Sequence, residues 1–472
     1  MKVLTVDIGS TYTKLTAIDG EKRQIIGTSQ SFTTIETDVM TGFDNAFEQL
    51  TQKREDNLCA DFKYDKLLVC SSAAGGLKMV ALGLVPDLTA KAARTAASNA
   101  GAKVMKTYAY EISDTEQGEI YDINPDLVLL CGGTDGGNKE VIIANARRLC
   151  AIDRPFTTIV AGNKSAAEQI RRIFNEAKRP FIITENVMPE FNKLNIEPAR
   201  EAIRNQFIAR IIEAKGLNKM QEMTSCKIIP TPLAVLQACE LLSKGTETQK
   251  GIGDLLAIDI GGATTDVYSM ASGAPTVDNT LTKGLPEPWS KRTVEGDLGM
   301  RYSMRHVLEQ LENTAHKPVE IEKLEKWVER CCQNPETLAQ PDSDEEKMEE
   351  FLGQTAVALA VRRHCGRLED VYTPMGLMHT LEGKDLMRVP VVIGIGGVVR
   401  NSRHPEEILK GCFYDIRHPE CTTPKHPTLY LDKRYIYASM GLLSTIDAEL
   451  AFELLRHETV EIAKAENTSL PT

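Results

Sequence analysis

No C-x-x-C pair occurs among the eleven cysteines, and their number is odd. That excludes a disulfide framework and a zinc ribbon, leaving scattered buried thiols as the expectation. The vicinal Cys331-Cys332 is the one arrangement with ligating or sensing chemistry. The eight histidines show no ligand spacing, and neither H-E-x-x-H nor G-x-S-x-G is present, so two common hydrolase signatures are missing. Gly162-Asn163-Lys164-Ser165 lacks the adjacent Gly-Lys and the upstream glycine of a Walker A loop. An excess of positive charge is lacking too. The 55 Lys and Arg face 66 Asp and Glu, a net of −11, which argues against a nucleic-acid partner. The most apolar long stretch, Leu67–Val85, carries Lys78, two adjacent glycines and two serines, and Pro86 follows it. It reads as a buried strand plus helix rather than a membrane span. No secretory signal opens the chain. The expectation is a soluble cytoplasmic protein with no membrane partner.

What is present is ordinary globular material: 472 residues, 42% hydrophobic, enough for two or three domains. Strands alternate with helices. Val3–Ile8, Lys14–Ala17 and Arg23–Ser29 read as strands, Thr41–Lys53 as a helix and Lys66–Cys70 as a strand. Leu88–Ala100 reads as an alanine-rich helix. Thr157–Ala161, Ser165–Ala177 and Pro180–Thr184 read as a βαβ unit. Pro232–Lys244 and Tyr435–Leu455 read as helices around the strands Asp254–Ile260 and Val391–Ile395. The alternation predicts α/β layers with covered sheets.

One element recurs. Val6-Asp7-Ile8-Gly9-Ser10-Thr11 returns as Ile258-Asp259-Ile260-Gly261-Gly262-Ala263-Thr264. Leu127–Leu130 with Gly132-Gly133 resembles Val391–Ile393 with Gly394, Gly396 and Gly397, at a similar distance downstream. The pairing predicts two related halves, residues 1–230 and 231–472, with a ligand cleft between them. Extra segments are expected at about 155–215 in the first half and about 316–365, helical, in the second.

The two recurring turns have phosphate chemistry. In the first, a strand ends at Asp7 and turns through Gly9, where backbone N–H groups can form an anion nest. Ser10, Thr11 and Thr13 offer hydroxyl donors and Lys14 a positive charge. Asp7 stands where a carboxylate can orient the water shell of Mg²⁺. In the second, Asp259 and Asp266 bracket Gly261, Gly262, Ala263, Thr264 and Thr265. Two carboxylates around a glycine turn suit metal-bound water and the positioning of an attacking water. The later run Gly394, Gly396, Gly397 lacks the last glycine of G-x-G-x-x-G, with Val399 there, and suits an adenine lying on bare backbone instead.

Together these residues resemble the actin-like ATPase superfamily of sugar kinases, heat-shock chaperones and actin. In its terms Asp7–Lys14 is similar to phosphate loop one, Asp259–Asp266 to phosphate loop two, and Gly394, Gly396 and Gly397 to the adenosine loop. Pro230–Ala238 resembles the first connecting helix and Ala438–Leu443 the second. A closer resemblance is to the GlmL/MutL family, the methylaspartate (glutamate) mutase accessory proteins. It is carried by Cys70–Met79, Leu130–Gly137 and Arg292–Arg301. The resemblance implies duplicated ribonuclease H-like domains flanking a nucleotide cleft, ATP and Mg²⁺ as cofactors, and Asp7, Asp259 and Asp266 as catalytic groups, Asp7 and Asp259 meeting the metal through water. It also implies an adenosylcobalamin-dependent mutase as partner, served by a chaperone-like or reactivating ATPase. One departure stands out: Ile229 occupies the place where chaperones of this fold carry an acidic residue, and Glu185 is the candidate to substitute for it. The competing functions are a small-molecule kinase, an iron–sulfur dehydratase activator using Cys131, and an actin-like filament.

Overall fold

Lys2–Ile8 (β1) buries six of its seven residues, the pattern of a central strand with layers on both sides. β2 (Tyr12–Asp19) and β3 (Gln24–Phe32) follow as antiparallel neighbours, helix α1 (Val39–Gln52) crosses one face, and β4 (Lys66–Ser71) returns parallel to β1. The computed structural model describes all residues except 35–37, 53–61, 73–77, 101, 215–216, 225, 314–319, 375 and 465–472. Cys59, one of the eleven cysteines, and Ala73–Leu77, part of the Cys70–Met79 motif, lie outside the described residues.

The chain then leaves this sheet. β5 (Lys78–Gly83), α2 (Lys91–Asn99), β6 (Lys103–Ala109), α3 (Asp114–Ile123), β7 (Leu127–Leu130), α4 (Glu140–Cys150), β8 (Thr157–Val160), α5 (Ala167–Glu176) and β9 (Phe181–Ile183) build a second sheet. It is parallel throughout, in the order β6-β5-β7-β8-β9. Local signals punctuate it: Ser113 and Glu116 form a capping box at the start of α3, and Asn124 ends that helix in the left-handed conformation. Alternate strand residues face two cores. Met79, Ala81, Leu127 and Leu129 join α2, while Val80, Leu82, Val128 and Leu130 join α3, α4 and α5. After α6 (Glu197–Ala214) and α7 (Leu217–Met223), β10 (Ile229–Pro230) returns beside β4 and completes the order β10-β4-β1-β2-β3.

Helix α8 (Thr231–Lys244) leads into the second half. There β11 (Leu255–Ile260), β12 (Thr265–Met270), β13 (Thr280–Lys283) and β14 (Ser290–Glu295) precede α9 (Met304–Glu309), α10 (Ile321–Gln333) and α11 (Asp344–His364). Strands β15 (Arg367–Thr373), β16 (Gly376–Glu382) and β17 (Val391–Ile395) follow, then α12 (Gly397–Asn401), α13 (Pro405–Leu409), β18 (Thr428–Asp432), α14 (Tyr437–Ser444), α15 (Ala448–Glu458) and β19 (Thr459–Ala463). The main sheet runs β14-β12-β11-β17-β18-β19, and β13-β16-β15 form a small sheet. The first five strands repeat the first sheet position for position. β1, β2, β3, β4 and β10 correspond to β11, β12, β14, β17 and β18, with the same antiparallel and parallel pairings. In register, Asp7 opposes Lys14 and Asp259 opposes Asp266. The protein is thus an α/β chain of duplicated ribonuclease H-like halves in the actin-like arrangement.

Several expectations change. The counterpart of Val391–Ile395 is β4, not Leu127–Leu130, which belongs to the parallel sheet; an apolar strand ending in glycines does not say which sheet it joins. Leu67–Val85 is two strands of different sheets rather than strand and helix. The βαβ unit expected from about 155 is the tail of a five-stranded sheet that begins at Lys78. In the helical segment expected at about 316–365, α11 is a layer of the second half: Leu352, Ala356, Val357 and Ala360 bury against the core under β11. Tyr435–Leu455 is not one helix, because Asp447 caps a fresh start at α15.

Beneath the main sheet of the second half lies a buried polar chain. Lys384 Nζ donates to the Ser269 carbonyl (3.1 Å), Ser269 Oγ (3.1 Å) and the Trp289 carbonyl (2.7 Å). Ser269 Oγ also meets His364 Nε2 at 2.8 Å, and Thr293 Oγ1 meets its Nδ1 at 2.8 Å. Burial lowers the Lys384 ammonium to about 7 from 10.5, with Lys291 adding to the effect. Over that window the unfolded chain holds a proton the folded chain has shed, so this group makes stability rise with pH. Urea unfolding at pH 7 and pH 9 is expected to show that rise in the wild type and a smaller one in Lys384→Met. An equal rise in both would place the titration elsewhere.

Candidate functional site

β1 and β11 each carry a carboxylate at the penultimate residue, Asp7 and Asp259, and turn back through the same hydrogen bond. Gly9 N–H donates to the Tyr12 carbonyl and Gly261 N–H to the Thr264 carbonyl, both at 2.9 Å. A side chain is excluded at Gly9, where a Cβ would stand 2.7 Å from the Tyr12 carbonyl oxygen, and crowded at Gly261, where it would stand 3.0 Å from that of Thr264. The two turns face each other across one cavity of about 460 Å³, within the range of small-ligand sites. Asp7, Gly9, Ser10, Thr11 and Lys14 line it from one half, and Asp259, Gly261, Gly262, Ala263, Thr264 and Asp266 from the other. Across the cavity, a Cβ at Gly262 would lie 3.2 Å from Thr11 Oγ1.

Four predicted residues do not reach the cavity. Thr13 is on the opposite face of β2 from Tyr12 and Lys14, because strand side chains alternate; its hydroxyl meets Thr33 Oγ1 at 3.0 Å in the core. Thr265 is likewise turned inward and donates to the Leu298 carbonyl at 2.6 Å. Gly394 lies inside β17, where a Cβ would be 2.8 Å from Leu409. Gly396 has φ +108° and sits against Ile260, whose carbonyl oxygen would be 2.3 Å from a Cβ. Of the three late glycines, Gly397 alone opens onto the cavity.

The three carboxylates are placed differently. Asp7 is buried; its Oδ1 accepts from Thr231 Oγ1 (2.6 Å) and Cys70 Sγ (3.5 Å), and Lys14 Nζ lies 3.5 Å from its Oδ2. Asp266 is held by Arg292, whose Nε donates to Oδ1 at 2.8 Å while the same oxygen pairs with Nη2 at 2.5 Å. Thr264 Oγ1 donates to its other oxygen at 3.1 Å. Among the described residues, Asp259 has only the Tyr435 hydroxyl, at 3.5 Å. Burial, then the neighbouring Asp266, pushes the Asp259 carboxyl up to about 7, against the pull of Lys14.

Sequence reasoning missed several residues. Tyr435 adopts φ +57°, an unusual conformation for a bulky residue, and its ring stacks 3.4 Å under Lys14 Nζ. Asp432, at the end of β18, fixes that turn by accepting the Ile436 and Tyr437 N–H groups. Nothing in the local sequence marks Tyr435, since Lys14 comes from the other half and Asp259 lies 176 residues upstream. Thr231 stands in the motif noted above but was not singled out. Ile229 packs against the core beside α8. Glu185 is exposed in the parallel-sheet lobe, bonded by Asn195 Nδ2 at 3.0 Å, and does not substitute in the cleft.

The Arg292–Arg301 motif props the second turn from below. The Arg301 and Tyr302 N–H groups donate to the Gly262 carbonyl (2.8 and 2.9 Å), and a Cβ at Gly299 would be 2.2 Å from Ala263. The Arg301 side chain then ties down the α10–α11 loop through Glu349 (2.7 Å) and the Pro335 and Thr337 carbonyls. That loop, with Leu338 and Ala339, and the α11 residues Glu346, Glu349 and Glu350 also line the cavity, as do Arg400 and Asn401. The vicinal cysteines are structural here: Cys331 is buried, and Cys332 Sγ donates to the Arg301 carbonyl at 3.1 Å.

Two features fit an anionic ligand with a divalent cation. Thr11 Oγ1 is buried without a hydrogen-bond partner among the described residues, a donor in want of an acceptor. Asp259 carries a destabilised negative charge that a cation would relieve. Among the described residues no three metal-ligating side chains converge, so a cation would be held by two carboxylates, water and the ligand itself, as Mg²⁺ commonly is. No described helix is long and apolar enough to cross a membrane.

Comparison with known proteins adds the following. The sequence model of the family described as "MutL protein" matches residues 3–459. A curated relative, "Protein MutL" of Clostridium tetanomorphum, is 45% identical over 469 residues, covering 97% of this chain and 99% of that one. Among solved structures, a ligand-bound xylulose kinase from Lactobacillus acidophilus is 10% identical with a TM-score of 0.35, covering 98% of this chain and 93% of its own. A glycerol dehydratase reactivase is 10% identical with a TM-score of 0.34, covering 94% and 99%.

Proposed function

The chain belongs to the MutL protein family, and from that premise we propose that it is an ATP-binding and ATP-hydrolysing accessory protein. Its partner in this reading is an adenosylcobalamin-dependent mutase such as glutamate (methylaspartate) mutase, which it serves in the cytoplasm as a chaperone-like or reactivating factor. The observation that carries the nucleotide reading is the pair of carboxylate-bearing glycine turns lining one cavity, with the unpartnered Thr11 hydroxyl between them. The partner rests on the family.

When bound, Mg²⁺ supplies neutralisation of phosphate charge. Asp7 and Asp259 would hold it through water. The chain's own groups supply the rest. Lys14, fixed between Asp7 and the Tyr435 ring, brings positive charge to the phosphates. Thr11 and the backbone of both turns donate hydrogen bonds. Asp266 is engaged on both oxygens by Arg292 and Thr264, so Asp259 is the carboxylate left to take a proton from an attacking water. Gly397, without a side chain, leaves room for the base, beside the α11 carboxylates. Because each half contributes one turn, a ligand touching both favours closure, and release of its terminal phosphate removes that differential affinity.

Saturating ATP with Mg²⁺ is expected to stabilise the folded chain by about 2.7 kcal/mol at 100 times Kd, by mass action. Thermal unfolding with and without nucleotide reads this directly, and no shift at millimolar concentration sinks the proposal. The accessory role is tested by capture of a cobalamin mutase in a nucleotide-dependent pull-down. A phosphorylated small molecule formed from labelled ATP would instead establish a kinase.

A further inference from the structure

We propose that Arg292 is a positioning residue that couples the cleft to the parallel-sheet lobe, so that occupation of the second turn is felt at α2. This rests on the nucleotide reading of the cleft. Arg292 is 4% exposed and lies on β14, the edge strand of its sheet. One side of its guanidinium holds Asp266. On the other, Nη1 donates to the Ser98 carbonyl at 2.7 Å, in the last turn of α2, where a cation also meets the negative end of the helix dipole. The next residue completes the clamp. Asn99, 2% exposed, accepts the Arg292 backbone N–H at 3.1 Å and donates through Nδ2 to the Ser290 carbonyl at 3.1 Å. Its amide thus pairs with the free edge of β14 as a neighbouring strand would.

The far end of α2 is fastened too. Lys91 Nζ lies 2.9 Å from Glu287, which also pairs with Lys291 at 3.2 Å. Burial works to raise the Glu287 carboxyl, but Lys291 and Lys91 hold it below the usual range. Meanwhile Ala92, Ala93, Ala96 and Ala97 pack into the core of the parallel sheet. Helix α2 therefore belongs to one lobe by its apolar face and to the other half by both ends. A chain of three groups, carboxylate, guanidinium and helix carbonyl, joins the cleft to that helix. A ligand that alters what Asp266 offers Arg292 alters the hold on α2, and the coupling is reciprocal.

The test is hydrogen exchange of α2, with nucleotide titration, on the wild type and on Asn99→Ala and Arg292→Lys. Asn99 does not line the cavity. ATP with Mg²⁺ is expected to slow exchange in α2 of the wild type by about fivefold or more, and Asn99→Ala to bind about fivefold more weakly with that slowing lost. Arg292→Lys, which keeps the charge but not the fork, is expected to lose the slowing as well. If Asn99→Ala does not fold, Lys91→Met loosens the other end of α2 and is read the same way. Nucleotide binding with α2 exchange unchanged, or a variant that is less stable yet keeps wild-type affinity and slowing, overturns the coupling alone. A wild type that binds no nucleotide overturns the reading of the cleft, and the coupling with it.

Discussion

Asp259→Asn is expected to lower Mg²⁺-dependent ATP turnover by about 10²- to 10³-fold, with nucleotide affinity changed less than about fivefold. The asymmetry follows from how the three cleft carboxylates are engaged. Asp7 is bonded by Thr231 and Cys70, Asp266 is saturated by Arg292 and Thr264, and Asp259 keeps its lone pairs for water. The amide is nearly the same size but cannot accept a proton. Because burial and then Asp266 raise the Asp259 carboxyl to about 7, kcat/KM of the wild type is expected to rise with pH through that value. The variant should lose the inflection. The same shift has a cost in stability. Between pH 3.8 and about 7 the folded chain holds a proton that the unfolded chain has released, so this group's contribution falls as pH rises. Turnover unchanged in Asp259→Asn would place the proton acceptor elsewhere.

Gly441→Ala is expected to destabilise the protein by about 3 kcal/mol, read as a lower urea midpoint or loss of soluble protein. Gly441 lies in α14, where that helix crosses α8, and a Cβ there would fall 1.8 Å from the Ala234 carbonyl oxygen. The obstacle is the helical backbone of α8, which cannot swing aside as a side-chain tip can. The helices in question follow the fifth strand of each half, so the close approach sets how the halves meet. Gly118→Ala is the control. It lies exposed in α3 with nothing within 4 Å of the added methyl, and it is expected to stabilise by about 0.8 kcal/mol through helix propensity. Similar effects at the two positions would mean that the crossing is not tightly packed.

Much of the geometry of the candidate site was legible because its signals are local. A strand ending in a carboxylate, a glycine and hydroxyls describes a turn wherever it folds, and the repeat of that pattern announced two halves. The failures were of two kinds. Thr13 and Thr265 were misassigned because a single residue of alternation turns a strand hydroxyl from cavity to core. Gly394 and Gly396 look like ligand contacts in the sequence, whereas in the fold their lack of a side chain serves packing against Leu409 and Ile260.

By itself, the sequence determined the alternating α/β layers, both turns and the family. Each depends on residues close together in the chain, where periodicity, turn chemistry and long motif matches act. Only the tertiary structure decided which strands share a sheet, that α2 is fastened to the opposite half, that Tyr435 lies beneath Lys14, and which carboxylate is free. Those facts depend on groups up to hundreds of residues apart. Which oxygen is satisfied and which is left open is settled by burial and by partners that meet only when the chain is folded.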